Sequence, residues 1–330
     1  MNEEITLADV YRAKRNIAGL VEPTPLILSE SLSERIGGEV YLKLECFQKT
    51  GSFKYRGAMN KIQSLSDEER TRGLITVSSG NHGRALAFAA ARLGVKATIC
   101  LSSKVPEIKV EAIQKLGGHV EICGDSYEEA DLVAVQMRKD QGLTWVAPFD
   151  DPLVIAGQGT IGLEIMESCP HVDNIIIPLS GGGLFAGIAT ATKAINPAVT
   201  LTGVANQHGN GMLATLDAGK PVPVEEHPSL ADCMAGTISP ENAYTFPITQ
   251  KLINEAILIN EDEIPGSMSY AFYNDRLMME GGSALTYTPL LREDNACYRG
   301  KTIVLIITGR NIDPGLFLET VSKNSVGLGN

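Results

Sequence analysis

Seven short apolar runs, separated by longer helical stretches, constrain this chain more than any other feature. They are VYLKLE at 40–45, LITVSS at 74–79, KATICLS at 96–102, HVEICG at 119–124, NIIIPLS at 174–180, TLTGVA at 200–205 and TIVLIIT at 302–308. Runs this short and this apolar read as strands covered on both faces, and the helical segments between them call for a mostly parallel sheet with helices on both sides. HGRALAFAAARLG at 82–94 and PEIKVEAIQKLGG at 106–118 are two such segments. Each closes on glycine, which enters the left-handed cap without a Cβ penalty. The rhythm breaks twice, at FQKTGSFKYRG and at WVAPFDDPLVIAGQGT, residues 145–160, where prolines, acids and glycines cluster. The breaks divide the chain into a larger unit, 1–50 with 147–330, and a smaller inserted α/β unit, 51–146. The ligand is expected in the cleft at the carboxyl ends of the strands, where open α/β sheets bind.

Composition removes several functions. At 330 residues the chain is long enough to bury a sizeable core. Its 28 basic and 39 acidic residues leave a net charge of -11, with no lysine or arginine run to track a phosphate backbone, so no nucleic-acid partner is expected. The cysteines at 46, 100, 123, 169, 233 and 297 form no CxxC pair and have no histidine at ligand spacing. Neither a zinc site nor a disulfide framework follows, and such usage suits a reducing cytoplasm. The start, MNEEITLADVYRAK, is acidic and amphipathic, and no run approaches the ~20 apolar residues of a membrane span. No long regulatory extension is expected after TGRNID.

Four segments carry chemistry. In TGSFKYRG, Lys54 stands between Phe53 and Tyr55, after a Thr-Gly-Ser turn expected to cap a helix. The positive helix end disfavours a cation there by up to about 1 kcal/mol. Taken alone, Lys54 fits either a surface lysine whose stem covers its aromatic neighbours or an amine kept neutral and nucleophilic by partial burial. SGGGLFAGIATATKAI, residues 180–195, follows a strand and leads into a helix. Its consecutive glycines bare backbone N–H groups at a helix start, which suits a phosphate. It is neither a spaced GxGxxG fingerprint nor a GK[ST] loop. SSGNHGRALA, 78–87, offers Ser79, Asn81 and His82 at another strand end, as an elaborate cap or as a clamp for carboxylate and phenolic oxygens. TGRNID, 308–313, ends the last strand with a hydroxyl on Thr308. A serine triad is disfavoured, since there is no GxSxG elbow. A phosphate cradle, a polar clamp, a hydroxyl and an aromatic-flanked lysine together suit an aldehyde-bearing, phosphorylated pyridine.

On GSFKYRGA, SSGNHGRALA, FDDPLVIAGQGTIGLEI, SGGGLFAGIA and TGRNID in that order, with VEPTPL near the start, the chain resembles the fold-type II pyridoxal 5'-phosphate enzymes. Within them it is most similar to the threonine and serine dehydratases and serine racemases, over essentially its whole length. The resemblance implies two α/β domains of the tryptophan synthase beta-like kind and α,β-elimination of water from a β-hydroxy amino acid, giving a keto acid and ammonia. It implies that Lys54 carries the covalent link to pyridoxal 5'-phosphate and, once freed, acts as general base. Phe53 would pack beside it, Ser180, Gly181, Gly182, Gly183 and Leu184 would hold the phosphate, Asn81 the ring 3'-oxygen and Thr308 the pyridine nitrogen. Ser78, Ser79, Gly80, Asn81 and His82 would hold the substrate carboxylate. Ser79 lies where racemising relatives place an acid/base on the opposite face. A homodimer or homotetramer in the cytoplasm is the family's usual state.

The chain departs from that pattern in places. TGRN stands where the dehydratases read SGGN, so Arg310 brings a cation to the cofactor edge, as a substrate residue for a second carboxylate such as that of hydroxyaspartate, or in an ion pair with an acid such as Glu280. Ala231 to Cys233 read ADC in place of ADG, and Gly281 replaces a common proline. The acids that bind a divalent cation in racemase-like relatives are missing after TLTGVA, so no metal is expected. PVEEHPSLADCMAGTISPENAYTF and MMEGGSALTYTPLL look closer to the hydroxyectoine-utilisation dehydratases, which act on a hydroxylated diaminobutyrate derivative. A pyridoxal phosphate sensor without turnover and a nicotinamide dehydrogenase are the rivals from other classes.

Overall fold

The computed structural model describes residues 4–225 and 227–324, so the first three residues of the N-terminal segment lie outside it. Ten strands form two sheets. In chain order they are β1 (Leu26–Leu28), β2 (Glu39–Lys43), β3 (Leu74–Val77), β4 (Ala97–Leu101), β5 (His119–Ile122), β6 (Thr144–Trp145), β7 (Asn174–Pro178), β8 (Thr200–Asn206), β9 (Glu255–Ile259) and β10 (Thr302–Ile306). The larger sheet has the order β1-β2-β10-β7-β8-β9 and the smaller β5-β4-β3-β6. Only the edge pair β1/β2 is antiparallel, with Ile27 opposite Leu42. All seven apolar runs are strands, as their composition demands. β1, β6 and β9 are additional: the first two are too short to announce themselves, and β9 is an edge strand with only Ile259 buried.

The strands β2, β10 and β7 lie side by side and parallel, so the segments leaving their carboxyl ends emerge together. One leads to Lys54, one to Thr308 and one to the glycine loop at 180–183. An isolated bridge between Ser52 and Gly309 ties the first two. β3 delivers SSGNHG from the smaller sheet. Its core gathers Leu74, Ile99 and Val146 with Tyr55, Met59 and Ile62, and also takes in Ile17 and Val21 from the N-terminal segment.

Behind the glycine loop, the helix Gly183–Ile195 packs on the helix Pro152–Ser168 almost backbone to backbone. A Cβ at Gly187 would stand 2.4 Å from the Ile155 carbonyl oxygen, and one at Gly159 would stand 2.9 Å from the Gly187 carbonyl oxygen. These glycines set how close the two helices come.

Candidate active site

Lys54 is the first residue of the helix Lys54–Gln63, as its position after the Thr-Gly-Ser turn suggests. The turn does not cap that helix. Phe53 occupies the capping position in helical geometry and no side chain bonds the first N–H groups, because Ser52 is drawn into the bridge with Gly309. Lys54 is half-buried, its Nζ donates to the Pro148 carbonyl oxygen at 2.7 Å, and it stands 5.3 Å from the centre of the Phe53 ring. Burial pushes its pKa down to about 8. The surface-lysine alternative therefore fails, since the ammonium is turned inward.

The glycine loop meets the FDD segment. A Cβ on Gly181 would stand 2.3 Å from the Phe149 ring, and Gly182 has φ +84, a left-handed conformation that glycine adopts without strain. No side chain caps the helix Gly183–Ile195, so its first-turn donors are left for a ligand. Beside Gly182, the Thr249 hydroxyl is buried without a partner among the described residues. Asp150 accepts from the backbone N–H groups of Ala243, Tyr244 and Thr245 at 2.7–2.9 Å, anchoring the start of the helix Thr245–Leu252. Asp151 caps the helix Pro152–Ser168 and pairs with Lys61 at 2.6 Å. FDD thus carries the wall under the glycines, with each acid fixed by a helix start.

Asn81 opens the helix Asn81–Arg92. Asn311 donates to the Thr50 carbonyl oxygen at 2.9 Å and to Asn81 Oδ1 at 2.6 Å. Asn81 Nδ2 in turn donates to Glu280 Oε1 at 2.8 Å. An amide nitrogen carries two hydrogens, so Asn311 is spent, the orientation of Asn81 is set, and one Asn81 N–H stays free. Thr308 is buried and shares a 2.9 Å hydrogen bond with Ser283, whose hydroxyl also contacts the backbone of Gly309. Ser52 Oγ, two residues before Lys54, is buried without a partner among the described residues.

Two expected side chains make contacts other than those expected. The His82 ring faces away from the clamp to the Val146 carbonyl oxygen, 2.9 Å off, and burial, then the Lys54 charge, lower its pKa to about 3. It is a neutral core histidine, leaving only its backbone for a ligand. Arg310 is exposed and stacks on Phe47, with its Cζ 5.1 Å from the ring centre. It does not pair with Glu280, whose oxygens are taken by Asn81 and the Asn311 N–H at 3.2 Å. Ser78, Ser79 and Gly80 line the strand end, half-buried. The residues sequence reasoning passed over are Pro148, Ser283 and Asn311, and Glu280 entered it only as an acid for Arg310 to pair with. Glu280 is 5% exposed, and nothing in EGGSA announces that burial.

A half-buried lysine of lowered pKa, an uncapped glycine loop and orphaned hydroxyls beside both define an α/β enzyme built to hold a phosphorylated carbonyl cofactor on an amine. The chain belongs to the pyridoxal-phosphate dependent enzymes, whose family model matches residues 17–309. It is 39% identical over 325 residues to the L-threonine ammonia-lyase of Thermotoga maritima, covering 98% of this chain and 80% of that one. It is 38% identical over 311 residues to the catabolic L-threonine dehydratase of Escherichia coli, covering 94% of each. Maize serine racemase superposes with a TM-score of 0.90 at 31% identity, over 97% of this chain and 98% of that one. Pyridoxal 5'-phosphate is the cofactor, and the fold is fold-type II. Among the described residues no helix is long and apolar enough to cross a membrane, and no cluster of His, Cys, Asp or Glu is arranged for a metal ion.

Proposed function

We propose that this chain removes water from a β-hydroxy amino acid of the threonine or serine class, releasing a keto acid and ammonia. The observation that carries it is Lys54, an inward-facing amine of pKa about 8 among segments leaving three adjacent parallel strands. Its relatives named for threonine dehydration and threonine ammonia-lyase activity support the reaction class.

Bound on Lys54, pyridoxal 5'-phosphate supplies an electron sink for the electrons of the substrate Cα–H bond. The backbone N–H groups of Gly181, Gly182, Gly183 and Leu184, with Ser180, would hold its phosphate. The second N–H of Asn81 would serve the ring 3'-oxygen and the Thr308 hydroxyl the pyridine nitrogen, with Phe53 packed beside Lys54. Ser78, Ser79 and Gly80 with the backbone at Asn81 and His82 orient the substrate carboxylate. Lys54 Nζ, free as an amine at neutral pH to a larger extent than an ordinary lysine, takes the α-proton. Ser79 would be the group on the opposite face for a racemase side activity. The cleft lies between a larger unit, 1–50 with 147–330, and a smaller one, 51–146. The resemblance carries over a homodimer or homotetramer in the cytoplasm, which light scattering and cell fractionation read directly.

Arg310 sets the second reading: an exposed guanidinium stacked on Phe47 suits a longer or acidic substrate, a hydroxylated diaminobutyrate derivative or hydroxyaspartate. Incubating purified protein with threonine, serine, hydroxyaspartate and hydroxylated diaminobutyrate compounds, and following keto acid and ammonia, separates the two. Turnover of threonine and serine alone retires the Arg310 reading, and turnover of none sinks the proposal.

A further inference from the structure

Glu280 is a buried carboxyl that joins Asn81, the turn at Cys233 and the segment 309–311, and nothing in the reaction described above uses it. Asn81, from the smaller sheet's side, donates to its Oε1 at 2.8 Å, and the Asn311 backbone N–H donates to its Oε2 at 3.2 Å. Gly309 presses against it so closely that a Cβ there would stand 2.2 Å from Oε1. Cys233 is exposed as a residue, but its Sγ turns inward to Glu280 at 3.9 Å. Both carboxylate oxygens therefore accept hydrogen bonds, the pattern that favours the charged form.

We propose that Glu280 is a positioning residue and the counter-charge of the pocket: it holds the Asn81 amide with one N–H free for the cofactor ring, and its negative charge stabilises positive charge on the nitrogen of Lys54. This rests on the cofactor reading above. The groups facing Glu280 are few. Lys54 comes from the helix Lys54–Gln63, Arg84 from the helix Asn81–Arg92, Asp232 and Cys233 from the turn at 232–234, and Cys46 from the segment after β2. Burial keeps the Cys233 and Cys46 thiols protonated, the latter up to about 12, so neither supplies an anion at neutral pH. Asp232 is well exposed, with its charge screened by water. Glu280 remains as the buried carboxyl whose charge favours the protonated form of Lys54. Burial, opposed chiefly by the Asn81 hydrogen bond, raises its pKa to about 7. The pocket thus gains its negative charge just below the pH at which Lys54 loses its proton.

The test is a pH titration of the visible absorbance of the full-length protein loaded with pyridoxal 5'-phosphate, in wild type, Glu280→Gln and Glu280→Asp. Without the carboxylate the nitrogen holds its proton less tightly, so Glu280→Gln is expected to lower the midpoint by roughly one pH unit, the scale of a nearby opposite charge. Glu280→Asp keeps the charge and should stay near wild type. Identical midpoints in wild type and Glu280→Gln overturn the proposal. Should Glu280→Gln fail to fold, Asn311→Ala carries the test, since it removes one of the two side-chain bonds that hold Asn81 and leaves the carboxylate in place. It is expected to weaken cofactor affinity about tenfold, the loss of one or two hydrogen bonds, with an unshifted midpoint; unchanged affinity overturns the positioning role. A wild-type protein that takes up no cofactor on Lys54 sinks the cofactor reading instead. The pH midpoint of Lys54 acetylation, read by peptide mass, then decides the charge effect in the same way.

Discussion

At the scale of single residues, two buried groups give the site opposite responses to acid. His82, held neutral against the Val146 carbonyl, has its pKa lowered to about 3 from an unfolded value near 6.5. Between those values the unfolded chain binds more protons, so stability rises with pH, and the contribution is lost as pH falls through the window. Glu280 runs the other way: raised to about 7 from 4.5, it costs stability as pH rises through that range. From about pH 4.5 to 6.5 the two slopes oppose each other. His82→Asn should remove the acid-side loss, so that urea midpoints fall less between about pH 6 and pH 4 than in wild type. An equally steep fall assigns the sensitivity elsewhere. A second expectation concerns Lys54. Lys54→Ala should abolish both the visible band and turnover, and borohydride reduction of the wild-type protein should leave the cofactor's mass on the peptide containing Lys54. Retained turnover in the variant removes the lysine from the chemistry. Lys54 itself was legible because an ammonium between two aromatics at a helix start demands an explanation. Glu280 was not: burial is what makes it unusual, and a lone acid beside two glycines carries no periodic pattern from which burial can be read.

Whole elements were legible to the extent that their residues speak alone. The runs β2, β3, β4, β5, β7, β8 and β10 declared themselves as short apolar segments between helical stretches, and the glycine loop through its three consecutive glycines. β1 and β6, of three and two residues, depend on the neighbours they pair with rather than on their own pattern. The Thr-Gly-Ser turn misled because local chemistry favours a cap, while the tertiary bridge to Gly309 took Ser52 away. At this scale the helix pair behind the phosphate loop makes the sharpest prediction. A methyl group at Gly187 would stand 2.4 Å from the Ile155 carbonyl and 2.6 Å from the Gly159 nitrogen, all backbone atoms that cannot turn aside. Gly187→Ala should therefore cost about 1–3 kcal/mol in urea unfolding and weaken cofactor binding through the displaced loop. Gly219→Ala, at a glycine with open space around it but a φ of +69, should lose only the smaller penalty of a left-handed alanine and leave binding unchanged.

On the scale of the whole molecule, a buried ion network ties the Lys54 helix to the larger sheet. Arg56 donates all five of its N–H groups: to both oxygens of Glu45 at 2.8 Å, to both of Glu164 at 2.6 and 2.8 Å, and to Thr160 at 3.1 Å. Lys43 on β2 completes it through Glu164 and the Thr24 carbonyl. Burial pushes the Glu164 carboxyl upward, but Arg56 and Lys43 together hold it below the ordinary value. Arg56→Met would strand two carboxylates with one cation, at a cost of roughly 3–5 kcal/mol, and should also loosen the helix that presents Lys54. A thermal midpoint within a degree of wild type would contradict this. A second feature of the same scale concerns time rather than energy. β10 runs between β2 and β7 at the centre of its sheet, although it is the last of the ten strands to leave the ribosome. A nascent chain can pair the strands of the smaller sheet once Trp145 has emerged, yet it must keep β2 and β7 apart, with a vacant lane between them, until Ile306 has emerged as well.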